Sequence, residues 1–134
     1  MASQLETSSA IYVFRKVVRI KSWMPGPYPL LAHCRSKSDD LGEWTMAWNA
    51  EQDISFKTNL YGTTLFWCDF KWATDTQTKS QSVPVFNDQD PNNPCNGDKD
   101  EKYCNWIVKP DGFYRAAGNQ TRFPDDYTFI TPWK

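Results

Sequence analysis

From residue 16 to the end of the chain, apolar and polar residues alternate in short runs separated by turn-forming residues. A period of two puts successive side chains on opposite faces of a strand, whereas a helix needs a period of 3.6. The runs cover residues 16–22, 30–35, 44–48, 54–58, 64–72, 82–86, 103–109 and 113–116, and 127–133 can add one more short strand. Pro84 removes a ladder donor, which demotes its run to a sheet edge or a bulge. Between residues 109 and 113, Pro110 presets φ and Gly112 accepts a positive φ, so the chain should fold back there. The pattern predicts an all-β fold, a small antiparallel β-sandwich of about seven to eight strands.

The core material agrees with sheet. The 134 residues include seven Trp, eight Phe and six Tyr, and aromatic rings suit a pleated, half-buried surface. One domain of this length can bury roughly two thirds of its unfolded surface. We expect a flexible tail over residues 1–15 and a single domain over 16–134.

Cys34, Cys68, Cys95 and Cys104 form an even, widely spaced set with no CxxC pair. That spacing is poor for zinc or thioredoxin-like redox chemistry and suits two disulfides made in an oxidising compartment. Alternation puts Cys68 with Phe66, Phe70 and Trp72, Cys34 with Leu30 and Ala32, and Cys104 with Trp106 and Val108. Three cysteines thus lie on the apolar face of their own strand. Three connectivities are open to four cysteines; the expected one joins Cys34 to Cys104 and Cys68 to Cys95, the latter anchoring the long acidic loop to the central strand. A secretory protein needs a signal, and the polar start Met1-Ala2-Ser3-Gln4 has no apolar region. The expectation is a signal already removed, with Met1 a remnant of expression, and a secreted, extracellular location.

The net charge of −1 gives no overall field for nucleic acid or anionic lipid, and no apolar stretch is long enough to insert in a membrane. Cofactors and metals are not expected, since the acidic residues between Asp88 and Glu101 lack the calcium-loop spacing. No residue reads as catalytic. His33 adjoins Cys34, but neighbours on a strand diverge, and Asp39-Asp40 sits in a turn where Asp caps backbone amides.

Seven Trp invite a carbohydrate-binding reading. Trp67, Trp23 and Trp133 are candidates for exposure, whereas Trp44, Trp48, Trp72 and Trp106 read as core. Asn119-Gln120-Thr121 is an N-glycosylation acceptor beside Gly118, so Asn119 should stand in a surface loop.

The order of landmarks resembles the plant self-incompatibility proteins and their S-protein homologues. It is carried by Val17-Val18-Arg19-Ile20, by His33-Cys34-Arg35-Ser36-Lys37-Ser38-Asp39-Asp40-Leu41-Gly42, by Thr64-Leu65-Phe66-Trp67-Cys68-Asp69-Phe70, by Cys104-Asn105-Trp106 and by Asp111-Gly112-Phe113-Tyr114. It spans residues 16–117. The resemblance implies a small secreted plant protein with a β-sandwich and four characteristic cysteines. Founding members of that family are stigma-expressed ligands that trigger rejection of self pollen through a pollen membrane receptor, while many homologues have no assigned role. The implied partner is a membrane receptor protein, bound by a monomer through loops 36–42 and 87–102. Within those loops Asp39, Asp40, Asp88, Asp90, Asp98 and Asp100 are the expected contact residues. The alternative is an extracellular domain that binds cell-wall carbohydrate.

Overall fold

A computed structural model describes residues 14–96, 101–119 and 121–134. Asp98 and Asp100, and residues 1–13 of the expected tail, lie outside the described residues. Nine strands are present among them: β1 (Arg15–Ser22), β2 (Leu30–Ser36), β3 (Asp40–Met46), β4 (Glu51–Lys57), β5 (Leu65–Ala73), β6 (Thr78–Asn87), β7 (Tyr103–Lys109), β8 (Gly112–Ala117) and β9 (Thr128–Thr131). They form a five-stranded sheet in the order β9-β8-β7-β1-β4 and a four-stranded sheet in the order β3-β2-β5-β6. The fold is all-β, as the alternation predicts. Phe14 is already tied to Thr58 by backbone and side-chain hydrogen bonds, so the ladder begins just before the expected boundary at residue 16.

One neighbour pair departs from the antiparallel expectation. β1 pairs with β4 antiparallel but with β7 parallel, from Val17 opposite Tyr103 to Ser22 opposite Val108. The chain visits the other sheet between β4 and β7, so it re-enters from the same end as β1 and no hairpin forces it to reverse.

The inward faces make one aromatic-rich core. Val18, Ile20, Cys104, Trp106, Val108 and Phe113 from the first sheet meet Leu30, Cys34, Cys68, Phe70, Val83 and Val85 from the second. Phe56 locks the sheets together at one end, its ring 4.5 Å from Phe66 and 4.9 Å from Phe86. Pro84 behaves as its chemistry requires. β6 is an edge strand, and the register slips beside the proline, so that Trp67 faces Pro84 while Phe66 faces Phe86. The Trp106 indole N–H donates to the Val85 carbonyl at that slip, 3.0 Å away, so the bulge leaves no orphaned acceptor there.

The disulfides correct the expected pairing. Cys34 joins Cys68, and Cys95 joins Cys104. The reason is register. Cys34 lies directly opposite Cys68 across β2 and β5 with the Cα atoms 4.0 Å apart, so Cys34 is taken within its own sheet. Cys95 is then folded back onto β7, anchoring the acidic loop there and not to the central strand as expected.

Candidate functional site

Strand polarity gathers the candidate loops. β2 ends at Ser36, β4 at Lys57, β6 at Asn87 and β8 at Ala117, while β1 and β7 begin at Arg15 and Tyr103 and β5 begins at Leu65. The pairings Ser36 with Phe66, Leu65 with Asn87, Arg15 with Lys57 and Cys104 with Ala117 put all these termini at one end of the sandwich. Both segments expected to carry recognition, 36–42 and the described part of 87–102, therefore meet there. A third segment, residues 58–64, stands between them, joining the ends of two runs and carrying no alternation of its own.

Local chemistry fixes this third loop. The Asn59 side-chain oxygen accepts the backbone N–H of Tyr61 and of Thr63, each at 3.0 Å, and its amide donates to Thr63 Oγ1 at 2.9 Å. Thr64 Oγ1 accepts the Asn59 N–H at 2.7 Å, and Gly62 takes φ 66° at the tip. The loop holds its own shape, so Leu60 and Tyr61 are pushed outward, 50% and 86% exposed. A large apolar pair standing out of a braced loop is the signal that sequence reading could have used.

Beside this loop runs an open groove of about 700 Å³ between the β2–β3 turn and the end of β4. Phe56, Leu65 and Trp67 give it apolar walls, and Lys37, Asp39 and Lys57 give it charge.

Two of the four described carboxylates expected to make contacts, Asp40 and Asp90, hold backbone amides. Asp40 Oδ1 accepts the Gly42 N–H at 2.9 Å and lies 2.6 Å from His33 Nε2. The Gly42 amide above all, and then His33, hold this carboxyl below its ordinary range. Asp90 Oδ1 accepts the Asn92 N–H at 2.9 Å, and the Asp88 N–H donates to the Thr64 carbonyl. Asp39 is exposed on the groove wall. Asn93 organises the described part of segment 87–102, accepting the Cys95 N–H and donating to the Asn87 carbonyl. Among the described residues, no three acidic, His or Cys side chains converge as metal ligands.

The string from His33 to Gly42 is now explained as scaffold. His33 grips Asp40, Cys34 is bonded to Cys68, and Arg35 pairs with Asp69 while lying over the Trp67 ring. Ser36 Oγ accepts the Asp39 N–H, and Gly42 adopts φ 82°. Segment 36–42 is thus a tight turn followed by strand, since β3 starts at Asp40 and not near Trp44 as the pattern suggested.

The tryptophans divide differently from the sequence reading. Trp72 and Trp106 are buried and Trp44 is partly so, but Trp48, expected in the core, is 57% exposed. It stacks on Trp23 with ring centroids 6.1 Å apart, at the end opposite the loops, because β3 stops at Met46 and leaves Trp48 in the connection to β4. Asn119 is exposed, as a glycan acceptor must be.

A family model described as plant self-incompatibility protein S1 matches residues 17–133. The chain belongs to this family. It is 36% identical to S-protein homolog 5 of Arabidopsis thaliana over 108 residues, covering 81% of this chain and 76% of that protein. It is 32% identical to self-incompatibility protein S1 of Papaver rhoeas over 82 residues, covering 61% of this chain and 54% of that one. A solved structure from work on SPH (self-incompatibility protein homologue) proteins, described as small, highly stable, secreted proteins from plants, shares the fold. Its TM-score is 0.62 at 18% identity, covering 90% of this chain and 95% of that one. The secretion stated for the proteins of that structure is in keeping with the two disulfides of this chain. Among the described residues no helix is long and apolar enough to cross a membrane.

Proposed function

We propose that this chain is a monomeric, non-catalytic extracellular ligand that a cell-surface receptor protein reads at the loop end of the sandwich. The observation that carries the reading is the braced loop 58–64, which presents Leu60 and Tyr61 to solvent beside the groove. Exposed apolar side chains on a rigid frame suit binding, because little freedom is left to lose on association. The Cys95–Cys104 bond supports the same reading by tying a neighbouring loop to β7.

The test is binding of the oxidised chain to plant plasma-membrane vesicles, with Leu60→Ser/Tyr61→Ser as the variant. Both side chains are exposed, so the fold should tolerate the change. Saturable binding that is lost on protease treatment of the vesicles, and that falls by about tenfold or more in the variant, supports a protein receptor. Equal binding by the variant, or binding that survives protease, overturns it.

Trp48 supports a second reading, in which the far end binds cell-wall glycan by stacking a sugar face on an exposed ring. Fluorescence quenching by cell-wall oligosaccharides that disappears in Trp48→Ala would select it.

A further inference from the structure

One face of the β1–β4 ladder carries two opposite-charge pairs and, at the loop end, a pair of like charges. Arg19 faces Asp53 with N–O contacts of 3.0 and 3.1 Å, and Lys21 faces Glu51, where the ion pair is 3.1 Å. At the end of the same ladder Arg15 faces Lys57. Two cations directly opposite each other on one face destabilise a strand pair. Among the described residues neither Arg15 nor Lys57 has an acidic partner, and neither does Lys37 across the groove from Lys57. One carboxylate, Asp39, lines the groove against the two lysines.

The same groove has apolar walls in Phe56, Leu65 and Trp67, and Lys37 and Lys57 line it as well. The groove lining carries Lys37 and Lys57 against the single carboxylate of Asp39, so its charge is net positive. We infer that the groove seats an extended acidic segment of a protein partner, its apolar side chains against Trp67 and Leu65 and its carboxylates at Lys37 and at Lys57, which Arg15 faces on the ladder. The inference rests on the receptor reading above and names the chemistry that the receptor would offer. It reverses the charge sense of the sequence expectation: recognition here runs through lysine and arginine of the ligand, not through its aspartates. An anion at Lys57 would relieve the Arg15–Lys57 repulsion, so binding should weaken as salt screens it.

The experiment is an NMR titration of the oxidised chain with a short peptide alternating glutamate and leucine, against its lysine-for-glutamate and glutamine-for-glutamate counterparts. Support is tighter binding of the glutamate peptide than of either counterpart, with shifts centred on Lys37, Lys57, Leu65 and Trp67. Lys37→Glu/Lys57→Glu should then weaken binding by roughly tenfold or more, since it removes two exposed ion pairs and adds like-charge repulsion. Lys37→Gln/Lys57→Gln should give an intermediate loss, which separates charge from damage to the fold. Equal binding of the glutamine or lysine peptide, shifts elsewhere, or no binding overturns the inference. The vesicle assay tells the two failures apart: wild-type vesicle binding that Lys37→Glu/Lys57→Glu leaves intact removes the acidic groove and keeps the receptor, whereas absence of vesicle binding removes the receptor.

Discussion

The His33 ring and the Asp40 carboxylate meet 2.6 Å apart, and the Asp40 oxygen in that contact also accepts the Gly42 amide hydrogen. A carboxyl held low in this way stabilises the fold above its unfolded pKa, and that contribution is lost as pH falls through the folded value. The Tm of Asp40→Asn should therefore lie below wild type at about pH 6, and the gap should close in acid below about pH 4. Thermal melts across that range decide the matter. A gap of constant size would show that Asp40 does not titrate against the turn.

Non-reducing peptide mapping should recover Cys34 with Cys68 and Cys95 with Cys104. The two bonds close sequence separations of 34 and 9 residues, so replacing the first pair with alanines should cost about 3–4 kcal/mol and the second about 2–3. Denaturant melts of the two double variants give the order. The second variant should also lose protection from hydrogen exchange around Asn93 and Cys95 while β2 and β5 keep theirs.

Trp106→Phe keeps a ring in the core and removes one donor. The Val85 carbonyl, served by that indole at 3.0 Å, would be buried without a partner, and stability should fall by about 1–3 kcal/mol. Chemical denaturation measures it; a neutral substitution would mean that the slip beside Pro84 finds another donor.

Asn119 is exposed and followed by Thr121, also exposed. Made through a eukaryotic secretory pathway, the chain should carry a glycan there. Enzymatic deglycosylation should shift the wild-type mass and leave Asn119→Gln unchanged.

Much of this architecture can be read from alternation because each strand buries one face. Cys34, Cys68, Cys104, Trp72 and Trp106 all fell on the correct side for that reason. Pairing of the cysteines could not be read so, since it depends on which strands are neighbours, and Cys34 meets Cys68 only through the β2–β5 register. Trp48 misled because a period says nothing of where a strand stops. The loop around Asn59 was invisible for the opposite reason: its order comes from side-chain-to-backbone hydrogen bonds inside a turn, which leave no periodic trace. The aspartates drew attention as charges, yet what Asp40 and Asp90 do is fixed by the nearest amide hydrogen, which composition does not reveal.

β1 sits between β4 and β7, so a strand made early in synthesis waits for one made late. As the polypeptide threads into a secretory compartment, the four-stranded sheet can assemble while one flank of β1 still has no neighbour. A template left open for that interval invites pairing with another nascent copy. A cell making this protein in quantity would need chaperones able to shield that flank until residues 103–108 arrive.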